Sequence, residues 1–212
     1  DPGQIGYTYR NVPPAQAWLG ASPARESRVP GARARVPATA CLRRRAALTP
    51  SMHDPGPRLD AARVRALLTA YLEAEYRWQH DGSWHDIVVG LPTPGLELAY
   101  PAATSFGLLS AWNPHSVERS REENQRADDA LHAALAASGH RFLAAFAQAP
   151  NRSWREPSWL VMGMDTVPFD ALARRFGQLG TLWWRPGQAV RLRMDVARPD
   201  EHPDDALVDW LQ

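Results

Sequence analysis

The chain has 212 residues, 44% hydrophobic and 22% charged, with a formal net charge of +1, an ordinary balance for one globular domain with a sizeable core. One cysteine, Cys41, excludes an internal disulfide and any cysteine-built zinc or iron–sulfur centre, and the lack of lysine excludes Schiff-base chemistry and a phosphate-loop lysine. No apolar run reaches the roughly 18–20 residues that cross a bilayer, and no basic start followed by an apolar run marks a secretory signal, so a cytoplasmic protein without membrane contact is expected.

Residues 1–50 hold eight arginines against Asp1 and Glu26, a net of +6, which leaves −5 on residues 51–212 when the whole chain is +1. The same segment holds seven prolines and no sustained period of 2 or 3.6. With so little patterned apolar surface to offset ordering entropy, residues 1–55 are expected to be a disordered Arg/Pro/Ala-rich extension, with one α+β domain over 56–212. Met52, just before the first amphipathic stretch, is the expected alternative initiator, which makes the arginines an upstream extension. A basic tail can bind nucleic acid, but here the arginines are scattered and the rest of the chain repels phosphate, so nucleic acid is not the expected partner. All 24 basic residues are arginine, which fits a GC-rich coding composition better than a selected function.

Leu59–Trp78 predicts a helix, with Val64, Leu67, Leu68, Tyr71, Leu72 and Tyr76 on its apolar stripe. Asp86–Gly90 and Leu96–Tyr100 read as a hairpin across Leu91-Pro92-Thr93-Pro94-Gly95. Phe106–Trp112 is apolar on both faces, as a central strand is. Ser120-Arg121-Glu122-Glu123 is a capping box that opens a helix stopping at Gly139. Phe142–Gln148 and Trp159–Met164 read as strands, and Thr166 caps a helix over Val167–Phe176 ended by Gly177. Thr181–Trp184 and Ala189–Met194 form a hairpin across Pro186-Gly187, the second strand carrying Arg191 and Arg193 on a wet face. Asp204–Leu211 closes the chain as a short helix. From Phe106 the order is β-α-β-β-α-β, which predicts a ferredoxin-like antiparallel sheet with helices on one face, preceded by the N-terminal helix and hairpin and followed by an extra strand.

In that topology the first strand ends, the third begins and the second helix ends on the same edge of the sheet. Asn113, Asn124, Glu156, Ser158 and Gln178 are therefore expected on one polar rim. Each also has a plain structural use. Asn113-Pro114 is a turn starter, Asn124 lies on the apolar side of a first helical turn and needs partners, and Glu156-Pro157 opens an apolar strand. Ser158 and Gln178 fit a strand-edge hydroxyl and a post-helix amide.

The histidines form no HxxxH or HxH pair; His80 and His85, with Asp81 and Asp86 beside them, are the only hint of a divalent-ion site. Ser116 and Ser158 lack a nucleophile elbow, and no glycine-rich phosphate loop is present. No cofactor and no metal are expected.

Ala111-Trp112-Asn113-Pro114, Glu122-Glu123-Asn124, Glu156-Pro157-Ser158 and Phe176-Gly177-Gln178 occur in that order, and together they resemble the signature blocks of the bacterial domain-of-unknown-function family 3293. The family has no established activity, so the resemblance implies no reaction; it marks the same rim. Leu179 stands where many members have a small residue after the Gly-Gln pair. The leading reading is a binding domain that takes a small polar ligand or a peptide terminus at the rim. The alternative is an enzyme with Glu156 as general acid or base and Asn113 and Asn124 as orienting groups. A third is an interaction module that works through the basic tail or an exposed sheet edge.

Overall fold

A computed structural model of the chain describes residues 59–200 and 205–212. The arginine-rich extension over 1–55, Met52 and the start of the expected C-terminal helix lie outside the described residues.

Helix α1 (Ala61–Glu73) starts at Asp60, whose side chain accepts from the Arg63 N–H, and buries Val64, Leu67 and Leu68. It ends earlier than the stripe suggested. Tyr76 and Trp78, two apart, belong to strand β1 (Glu75–His80), where alternate side chains turn inward. The chain turns at Asp81 (φ 46°) and Gly82 (φ 78°) into β2 (Ser83–Ile87), so the first hairpin is β1–β2. The predicted hairpin over 86–100 is overturned, because Pro94–Ala99 forms a short helix, α2, with proline in its first turn and Leu96 buried.

Beyond α2 come β3 (Phe106–Leu109), a 3-10 turn (Pro114–Ser116), α3 (Arg121–Ser138), β4 (Arg141–Gln148), β5 (Arg155–Met162), α4 (Thr166–Arg175), β6 (Gly180–Trp184), β7 (Arg191–Met194) and β8 (Val208–Trp210). The capping box at Ser120 and Glu123 is formed as read, and Gly139 ends α3 with φ 74°. The sheet runs β2-β1-β4-β5-β3-β6-β7-β8. It is mixed, not purely antiparallel: β8 lies parallel to β7, in place of the predicted terminal helix. There Val208 is buried, the Leu192 N–H donates to the Leu207 carbonyl at 2.9 Å, and the Leu211 N–H donates to the Met194 carbonyl at 3.0 Å. The Gly90 N–H donates to Val190 and the Val190 N–H to Leu91, so the sheet curls until the chain after β2 meets the edge of β7.

Both faces of this sheet are covered. Leu109, Ala111 and Val161 pack with Leu131 and Leu135 of α3 and Phe169 and Ala173 of α4. The opposite face sets Phe106, Leu108, Leu160, Leu182 and Leu192 against α1. The two helices of the β-α-β-β-α-β stretch, α3 and α4, thus share one face, and α1, to which the sequence assigned no face, packs on the other. The supposed wet face of β7 is also corrected. Arg193 Nη2 lies 2.6 Å from Asp170 Oδ2 of α4, and Arg193 Nη1 lies 3.0 Å from Asp209 Oδ2 of β8. Among the described residues no helix is long and apolar enough to cross a membrane.

Gly107 lets α4 approach the middle of the sheet, since a Cβ there would sit 2.4 Å from the Phe169 ring. Gly107→Ala should therefore cost about 1–3 kcal/mol by overpacking, read as a lower thermal midpoint. Pairing it with Phe169→Leu should return part of the loss.

Candidate functional site

The site begins where β3 runs out. The Ser110 hydroxyl donates to the Pro157 carbonyl at 2.8 Å and accepts from the Trp112 N–H at 2.9 Å, which ties the strand's exit to β5. Three of the next four residues then have left-handed backbones: Asn113 (φ 47°), His115 (φ 58°) and Ser116 (φ 53°). Asparagine tolerates this region; histidine and serine are held there at a cost of about 1–2 kcal/mol each.

A network of amides holds the loop in that shape. The Asn113 N–H donates to Asn124 Oδ1 at 2.8 Å, and Asn124 Nδ2 donates back to Asn113 Oδ1 at 2.9 Å. The Arg119 N–H donates to the same Asn113 Oδ1 at 3.0 Å, and Asn124 Nδ2 also reaches the Arg119 carbonyl at 3.4 Å. Asn113 Nδ2 donates to Glu156 Oε1 at 2.6 Å. From the far side, the His115 N–H donates to the Gly177 carbonyl at 2.7 Å, and Gln178 Nε2 donates to the Trp112 carbonyl at 3.1 Å. Gly177 has φ 65°, and a Cβ there would meet the Pro114 Cβ at 2.9 Å, so two constraints require glycine at once. Four of the five predicted rim residues are thus brought into one hydrogen-bonded array. Ser158 lies beside them, buried on β5 and bonded weakly to the Glu156 carbonyl at 3.4 Å, outside the amide network.

Two tyrosines that the sequence placed in an apolar stripe belong here as well. The hydroxyls of Tyr71 and Ser116 lie 2.6 Å apart, either one donating, and Tyr76 donates its hydroxyl to the Tyr71 carbonyl at 2.7 Å. Arg63 Nη2 donates to the Ser116 carbonyl at 3.1 Å. Gly180 leaves room for the Tyr71 ring, which a Cβ would approach to 2.6 Å. The available signal was the phenol itself, since a buried tyrosine hydroxyl needs a partner. Ser116 is therefore paired with a phenol, not with His115. Burial pushes the Tyr71 phenol up to about 12 against the opposing Ser116 hydrogen bond, so at neutral pH it is a neutral donor or acceptor and not a base. Burial raises the Tyr76 phenol too, with smaller contributions from Tyr71 and Glu156.

The array separates residues that hold the loop from groups left over. Asn124 is buried and both ends of its amide are engaged, so it orders the loop. Among the described residues, the Glu156 carboxylate takes a hydrogen bond from Asn113 and forms no ion pair. Burial raises the Glu156 carboxyl above its ordinary range, and the Asn113 hydrogen bond opposes the rise only in part. The Trp112 indole N–H is buried with no partner among the described residues. Three steps past Leu109↔Trp159, beyond the end of β3, the antiparallel count brings Trp112 level with Glu156. No group of three or more His, Cys, Asp or Glu among the described residues could hold a metal ion. The hinted ion site near His80 is not formed: Asp86 pairs with Arg77 at 3.0 Å.

No curated protein and no solved structure matches this chain. Residues 109–180 match the family model described as "Protein of unknown function (DUF3293)", a span that contains Asn113, Asn124, Glu156, Ser158 and Gln178 but neither Tyr71 nor Tyr76. That match is to the family whose signature blocks the four sequence motifs resemble.

Proposed function

We propose that the rim around Asn113, Glu156 and Gln178 binds a small polar ligand or a peptide terminus, with Glu156 as its anchor. Glu156 carries this reading. Among the described residues its largely buried carboxylate has one amide donor and no cation, which is costly to keep, and such groups gather at sites where a ligand completes the set. The strained Asn113–Ser116 loop beside it is a second cost of the kind held at binding and catalytic sites. The free acceptor on Glu156 and the unpartnered Trp112 N–H suit a ligand that offers both a donor and an acceptor. The antiparallel order β4-β5-β3-β6, with α3 and α4 as its connections, supports a ferredoxin-like split βαβ unit over residues 106–184.

Glu156→Gln tests the anchor, because glutamine can still accept from Asn113 without the charge. A carboxyl whose folded pKa is raised favours folding when protonated, so the wild type loses that contribution as pH rises through the raised value. At pH 7 the variant should therefore melt at or above the wild-type temperature, and the difference should vanish below about pH 4, where the carboxyl is protonated in both states. Thermal shifts with a panel of dipeptides, amino alcohols and small amides should yield compounds that stabilise wild type and not Glu156→Gln. A variant that unfolds at pH 7 would make Glu156 a structural tie and end the proposal. The raised carboxyl also suits a general acid, the enzyme reading; a turnover that falls as Glu156 ionises and disappears in Glu156→Gln would favour it.

A further inference from the structure

A second site lies away from the rim, between the β1–β2 hairpin and the start of α2. A cavity of about 280 Å³ opens there, lined by Trp78, His80 and His85 on the sheet side and by residues 92–96 on the other. The His80 and His85 rings lie 5.3 and 5.0 Å from the Trp78 ring, centroid to centroid, inclined to it by 30° and 34°. Cross-strand register explains the grouping: Trp78 pairs with His85, and His80 follows Trp78 by two on the same face. Pro92 and Pro94 supply flat, rigid walls opposite.

Few polar groups in this cavity are free. His80 is engaged at both nitrogens, with the Tyr100 hydroxyl 3.2 Å from Nδ1 and Asp81 3.4 Å from Nε2. Asp86 is held by Arg77, so it offers a cation little. Thr93 Oγ1 accepts from the Trp184 indole N–H at 2.9 Å and keeps its own proton to donate. The ring nitrogens of His85 have no hydrogen-bond partner among the described residues. From these walls and these two free groups we infer that the cavity takes a planar, uncharged aromatic ring system of one or two fused rings that carries a hydrogen-bonding atom. Flat π surfaces and prolines reward a flat ligand by stacking, the Thr93 and His85 groups orient it, and the volume stands near the lower end of ligand-sized cavities.

Gly95 makes the test clean. It lines the cavity within α2, and a Cβ there meets nothing within 4 Å. Titration of the full chain with 2-naphthol, followed by the Trp78 and His85 ring resonances, should show saturable one-to-one binding. Decahydro-2-naphthol keeps the hydroxyl and ring count but loses planarity, and should bind about tenfold more weakly or worse. Gly95→Ala should leave 2-naphthol binding in place, while His85→Ala, which removes an exposed lining ring and one of the two free groups, should weaken it about tenfold or more without lowering the melting temperature. Absence of saturable binding overturns the inference. So does equal affinity for the saturated alcohol, or binding that is unchanged in His85→Ala.

Discussion

Arg193→Leu should destabilise the domain by about 3 kcal/mol, because it strands a carboxylate that is almost out of water. Arg193 and Asp170 have side chains only 11% and 12% exposed, and two parallel contacts join them, Nε–Oδ1 at 3.0 Å and Nη2–Oδ2 at 2.6 Å. The Asp209 carboxylate on β8, 28% exposed, takes a further contact from Arg193 Nη1. Removing the arginine leaves Asp170 facing the α4–β7 interface with no cation, a loss several times that of an exposed pair. Arg193→Leu with Asp170→Leu should recover most of it, since a buried pair replaced by well-packed apolar residues is often neutral. Urea unfolding measures both. Hydrogen exchange should also rise at Val208–Trp210 in the single variant, because Asp209 of that strand then loses one of its two arginine contacts. A single-variant loss below about 1 kcal/mol would mean that water reaches the pair and that it behaves as a surface contact.

How much of this was legible in the sequence follows from which contacts are local. The Ser120 capping box, the Gly139 stop and the order of elements from Phe106 to Trp184 are signalled within a few residues, and the structure forms them. The convergence of Asn113, Asn124, Glu156 and Gln178 was legible because element order alone fixes which strand and helix ends share an edge. Residues 59–100 depart from their sequence pattern for the opposite reason. Tyr71, Tyr76 and Trp78 satisfy a helical count and a strand count at once, and Asp81-Gly82, a strong two-residue hairpin signal, was outweighed by that stripe. The Pro94 stretch was read as a strand because Leu96–Tyr100 alternates; proline at the first turn of a helix was the better cue. β8 could not be seen locally at all. Its three residues pair with β7 through Asp209, whose partners Arg191 and Arg193 are 18 and 16 positions away. The tyrosine–serine contact between α1 and the Asn113 loop, 45 positions apart, was hidden in the same way.

Loss of the Asn124 amide should cost about 3 kcal/mol, and most of that cost should belong to Asn113. In Asn124→Ala the buried side chain that accepts from the Asn113 N–H disappears, and the Asn113 Oδ1 and Arg119 carbonyl lose a shared donor. Partly buried groups left unpaired cost about 1–3 kcal/mol each, and here water can relieve some of them. The loop then also loses the bonds that hold His115 and Ser116 in left-handed backbone, so hydrogen exchange should rise over residues 113–119 and much less in β4 or β5. Asn113→Ala should be at least as costly, since alanine loses every side-chain bond and tolerates φ 47° worse than asparagine. Asn113→Gly separates the two effects, for glycine accepts the backbone but makes no bond. If the amides act as a unit, Asn113→Gly with Asn124→Ala should cost about 1–3 kcal/mol less than the two single losses combined. The Tyr71–Ser116 contact should weaken in each variant, because Ser116 reaches the phenol only while the loop is held. Additive losses, with exchange spread evenly over the domain, would show that the two asparagines stabilise the fold separately and that the loop's shape comes from elsewhere.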